Sequence, residues 1–98
     1  MELIYKYLIE EKKMPTVVAD RTAKNIGRHP DISAELEAWI SSKEYKSISP
    51  IVVEGYTAAD IVKLAPFMDG VGVFTFLVSL REDPQKAKMQ IAAGFPRK

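Results

Sequence analysis

The sequence predicts a mainly α, helix-rich small domain. Three observations lead there: apolar residues recur at helical spacing in several segments, proline, aspartate and glycine punctuate those segments at the positions where helices start and stop, and one long uncharged stretch is apolar nearly all round. With 98 residues, 47% of them hydrophobic and 28% charged, the chain fits a single domain over 1–98. A chain of this size buries about 60–65% of the surface its unfolded form exposes, enough for one well-packed core.

The opening segment "MELIYKYLIEEKK" places Leu3, Ile4, Tyr7 and Leu8 on one helical stripe. Leu3, Tyr5, Tyr7 and Ile9 would equally suit a strand, but Glu10 to Lys13 continue the run with strong helix formers, so a helix is expected. Next comes an internal echo. Residues 15–26, "PTVVADRTAKNI", and 50–61, "PIVVEGYTAADI", match at six of twelve positions with an offset of 35. Proline suits the first position of an edge strand, and the valine pair that follows is stiff at χ1 and fits a pleat. Thr22 and Thr57 then stand where a helix N-cap is needed, and Asp60 makes the second copy close to a capping box. Each copy thus reads as strand, turn, capped helix, giving two related units over 15–43 and 50–82. A short two-stranded β ribbon would pair 16–18 with 51–53.

In "PDISAELEAWISSK", Ile32, Leu36, Trp39 and Ile40 form a helical stripe, with Pro30 and Asp31 opening it and acidic residues toward its positive end. At the other end of the chain, "DPQKAKMQIAAGFP" predicts a helix over 84–93, with Asp83 as cap, Pro84 at its first position and Gly94 as a left-handed stop.

The stretch "DGVGVFTFLVSLRED" carries no charge between Gly70 and Leu80. As a strand, 71–80 would send Phe74, Phe76, Val78 and Leu80 to one face and make the domain α+β. As a helix it starts at Asp69, and its apolar residues surround the axis except along Gly72, Thr75, Ser79 and Glu82. A helix of that kind is a buried one, and the line of small residues would admit a close neighbour, either from the same chain or from a partner. The helix is the expectation and the strand its alternative.

Several kinds of chemistry lack their residues. There are no cysteines, so neither disulfides nor thiolate–metal bonds are available. Fourteen basic residues face thirteen acidic ones, and neither half of the chain is a polycation. The N-terminus has no basic n-region or cleavage site, and no apolar run approaches the ~20 residues of a membrane helix, so a cytoplasmic protein without a membrane partner is expected. The two glycines of "DGVGVFT" lack the third glycine of a dinucleotide fingerprint, where Thr75 stands, and the lysine of a phosphate loop. His29 is the only histidine and sits before Pro30 in a loop, so no metal site and no cofactor is expected. Loop carboxylates at Glu54, Asp60, Asp69 and Asp83 show no spacing that singles out a catalytic pair. No catalytic residue is assigned and the protein is expected not to be an enzyme.

Two classes of function remain. "RTAKNIGRHPDISAELEAW" and "YTAADIVKLAPFMDGVGVFTFLVSL" each resemble a helix-turn-helix opening, Thr-Ala-x-x-Ile followed by a turn and a second helix. That resemblance implies a DNA-binding regulator whose second helix lies in the major groove, with Arg21, Lys24, Arg28 and His29 as its basic cluster. The reading helices depart from the family: one offers Asp31, Ser33, Glu35 and Glu37, the other Gly70 to Phe74, and neither suits base readout. The second half, "VVEGYTAADI" through "REDPQKAKMQIAAGFPRK", is similar to small uncharacterised proteins of Gram-positive anaerobic bacteria, which implies a bacterial, cytoplasmic origin and no particular activity. The favoured expectation is a non-enzymatic protein–protein interaction or assembly module, contacting a protein partner or itself, with Gly72, Thr75 and Ser79 as the contact residues.

Overall fold

The computed structural model describes residues 2–42 and 51–94. It is mainly helical, with six helices among those residues: α1 (Glu2–Glu10), α2 (Thr16–Gly27), α3 (Pro30–Ser42), α4 (Ala58–Leu64), α5 (Gly70–Glu82) and α6 (Pro84–Ala92). Residues 70–82 are helical, so the strand alternative for 71–80 is overturned. Asp69 caps α5 through its side chain, which accepts from the Gly72 N–H at 3.0 Å. That bond fixes a helix start that a strand reading has no use for.

α5 is the axis of the domain. Val71, Val73, Phe74, Phe76, Leu77, Val78 and Leu80 are all buried along it. It packs against α2, α3, α4 and α6, while α1 closes on α2 and α3. Long-range pairs give the directions. Arg81 near the end of α5 grips Asp31 at the start of α3, and Gly70 at the start of α5 lies under Trp39 near the end of α3, so these two helices run antiparallel. His29, just past the end of α2, meets Glu82 at the end of α5, so those two run the same way. Each outer helix contributes one stripe to the core: Ile4 and Leu8 from α1, Ala19, Ala23 and Ile26 from α2, Ile32, Leu36 and Trp39 from α3.

The paired strand–turn–helix reading fails in its first copy. Val17 and Val18 belong to the first turn of α2, so 16–18 cannot pair with 51–53 and the ribbon does not form. The buried stripe of α2 begins at Ala19, and burying it sets the helix off upstream, over the β preference of two valines. Pro15 stands at the N-cap without a side-chain bond, and Thr22 lies half-buried in the helix interior rather than capping it. The second copy keeps its turn and its capped helix, but 51–53 form no strand and contribute one isolated bridge at Val53. Thr57 Oγ1 accepts from the Asp60 N–H at 3.2 Å, and the Asp60 carboxylate accepts from the Thr57 N–H at 3.0 Å, a complete capping box for α4. Val53 pairs with Tyr56 across a two-residue turn, with Glu54 and Gly55 both at positive φ, as a tight hairpin turn requires. The echo in sequence therefore corresponds to two different local structures. Residues 43 and 50, where the two expected units end and begin, lie outside the described residues.

At the ends, α1 stops at Glu10 instead of continuing through Lys13. Lys13 takes a left-handed conformation and the Met14 N–H folds back to the Leu8 carbonyl. α6 keeps its expected signals: the Asp83 side chain accepts from the Lys86 N–H, Pro84 opens the helix, and Gly94 at φ +79 follows its end.

Candidate functional site

The small-residue line expected along α5 is its least covered edge. Gly72 and Thr75 are half-buried, and Ser79 and Glu82 are exposed. Gly72 is not where a neighbour comes close, because the nearest atoms to a Cβ there belong to Met68 and Asp69 of the preceding loop, at ordinary van der Waals distances of 3.4–3.6 Å. The close approach is at Gly70. A Cβ at that position would fall 2.1 Å from Cε3 of Trp39, whose indole also meets the Tyr7 ring edge-on at 6.0 Å between centroids. Within the chain the close approach falls on Gly70, outside the expected line of Gly72, Thr75 and Ser79. The Thr75 hydroxyl is shut away from water without a hydrogen-bond partner among the described residues, and Ser79 opens into a groove of about 210 Å³ between α5 and α6, shared with Glu82, Asp83, Lys86, Ala87 and Gln90. The three residues therefore do not form one exposed patch.

The basic cluster also divides. Arg21, Lys24 and Arg28 lie exposed on one face of α2, and Lys24 is paired with Asp20 at 3.1 Å, one turn away. His29 is drawn off that face. Its Nε2 lies 2.9 Å from Glu82 Oε2, its Nδ1 lies 3.5 Å from an Arg81 nitrogen, and its side chain is 13% exposed. Both ring nitrogens thus face side chains at the end of α5. Arg81 meanwhile holds Asp31 through two parallel bonds of 2.8 Å. That guanidinium, with the Ile32 N–H at 2.8 Å, lowers the Asp31 pKa to about 2 against the cost of partial burial.

A second clasp joins the loop after α1 to the loop before α5. Lys12 donates to Asp69 Oδ2 while Asp69 Oδ1 caps α5. Burial pushes the Asp69 pKa up, but the Lys12 ammonium and the Gly72 N–H outweigh it and hold the carboxyl below its ordinary value. Neither this clasp nor the His29–Glu82 contact has a local sequence signal, because the partners stand 57 and 53 residues apart.

The expected reading helix of a DNA-binding unit, α3, buries Ser33 and spends Asp31 on Arg81, and Glu35 and Glu37 are half-buried. Among the described residues no group of three or more histidine, aspartate or glutamate side chains is placed to hold a metal ion, and no helix is long and apolar enough to cross a membrane. Apolar side chains remain in water at the end of the molecule where α2 and α5 begin: Val17 and Val18 in the first turn of α2, Leu64 and Phe67 shortly before Asp69. No protein-family model matches the chain, and no curated protein or solved structure proved similar to it.

Proposed function

We propose that this protein is a non-enzymatic interaction or assembly module that works in the bacterial cytoplasm by contacting a protein partner or a second copy of itself. The observation that carries the reading is the apolar end just described. Val17 is 68% exposed, Phe67 52%, Leu64 42% and Val18 41%, on chain segments that the Lys12–Asp69 clasp ties together. Single exposed apolar side chains are ordinary on any surface. Four at one end of so small a domain, beside charges that are already neutralised, favour contact with another apolar surface. The polar contacts between elements fit the same reading, since His29, Asp31 and Asp69 serve to join them.

Sedimentation velocity over a range up to high micromolar concentration tests the self-association form. A mass that rises with concentration in the wild type and stays monomeric in Phe67→Ser supports it, and a clean monomer throughout removes it. The partner form is tested by affinity capture from extract of the source cells, and equal capture by wild type and a Val17→Ser/Phe67→Ser variant contradicts it. The runner-up, a helix-turn-helix-like DNA-binding regulator, draws on the exposed Arg21, Lys24 and Arg28. Its affinity for duplex would fall steeply with salt and drop when these three become alanine; absence of binding at low salt disposes of it.

A further inference from the structure

The outer face of α2 has a spacing of its own. Val17, Arg21, Lys24 and Arg28 are all exposed and follow one another at intervals of four, three and four residues. At 3.6 residues per turn those positions fall on one narrow stripe along the helix. Opposite the stripe, Ala19, Ala23 and Ile26 anchor α2 to the core, so the exposed face is presented on a fixed helix. Lys24 is shared with Asp20, whereas Arg21 and Arg28 have no ion-pair partner among the described residues. They are seven residues apart, about 10 Å along the axis.

We infer that this stripe is the docking face for an acidic amphipathic helix of a partner protein. Carboxylates two turns apart on that helix pair with Arg21 and Arg28, and an apolar residue covers Val17. The inference rests on the interaction-module reading and names the partner chemistry for one surface of it. A second copy of this chain does not fit, because two α2 stripes face to face would set Arg21 and Lys24 against like charges. A nucleic acid fits poorly: the stripe starts on a valine that a phosphate backbone does not cover, and only two unpaired guanidiniums stand along it among the described residues.

The test uses the full chain and a designed helical peptide about three heptads long, with glutamates facing the arginine positions and a leucine facing Val17. Binding is followed by fluorescence anisotropy beside two controls, the same peptide with lysines for glutamates and a random-sequence DNA duplex. The expected result is saturable binding of the acidic peptide alone, weakened at least about tenfold by Arg21→Glu/Arg28→Glu. Both substitutions are on an exposed face, so the circular dichroism and melting of the variant should match the wild type, and Val17→Ser should weaken binding by a smaller factor. Equal binding of the lysine peptide, an unchanged affinity in the arginine variant, or no binding at low salt overturns the inference. So does preference for the duplex, which would assign the stripe to nucleic acid. If the arginine variant still captures a cellular partner that Phe67→Ser loses, the interaction reading stands and this surface is the wrong one.

Discussion

One methyl group at position 70 would collide with the face of Trp39, and the contact shows how much of this fold rests on individual side chains. Gly70 lets the indole lie directly on the start of α5, and the same indole forms a T-shaped pair with Tyr7 of α1. Gly70→Ala must displace the ring or the helix start. We expect a loss of about 1–3 kcal/mol and a change in Trp39 fluorescence. A melt indistinguishable from wild type would show that the ring has room to move. Asp31 is the second residue whose local contact has a measurable consequence. Its pKa in the folded state, about 2, lies below the ordinary value of 3.8. A depressed carboxylate contributes its stability above the unfolded value and loses it as pH falls through the folded one, so the contribution should fade between about pH 4 and pH 2. The Asp31 side chain is 49% exposed, and solvent screening leaves the pair at about 1 kcal/mol or less. Urea midpoints across that window should fall more steeply for wild type than for Asp31→Asn; parallel curves would mean that the Arg81 contact is not maintained in solution.

Helix by helix, the readable signals were those carried by neighbours in sequence. Asp69, Thr57 with Asp60, and Asp83 with Pro84 cap α5, α4 and α6 as their spacing predicts, because a cap needs only the residues within one turn. The same threonine in the echo was misleading. Thr22 has the local sequence of a cap but sits inside α2, where burial of Ala19, Ala23 and Ile26 decides the helix register. Substitution separates the two. Thr57→Ala should cost about 1 kcal/mol through loss of the capping box, whereas Thr22→Ala should change stability by less than about 0.5 kcal/mol in either direction. Equal losses at both positions, measured by chemical denaturation, would restore the paired-unit reading. The ribbon expected over 16–18 and 51–53 failed for a related reason: β preference is a statement about packing on a pleat, and the valines of α2 have no pleat to pack on.

For the molecule as a whole, patterning gave the class of the fold and the identity of its axis, while the assembly was out of reach. The uncharged run of 70–80 signalled a helix buried on nearly every side, and α5 has that form. What patterning could not supply were the contacts that orient the other helices, Lys12 with Asp69, Arg81 with Asp31 and His29 with Glu82, each joining residues fifty or more apart. The candidate residues suffered most. Gly72, Thr75 and Ser79 share a helical line but not a degree of exposure, and His29 leaves the face that holds Arg21, Lys24 and Arg28. α5 is the interior around which the remaining helices close, and the recognition surfaces proposed above lie outside it, on α2 and the loops near it. Thermal unfolding of Leu77→Asp tests this most directly, since Leu77 is fully buried near the middle of α5. A lone carboxylate there should cost several kcal/mol out of a total stability of about 5–10 kcal/mol. The variant is expected to show no cooperative transition; a sharp melt near the wild-type temperature would contradict the buried axis and everything built around it.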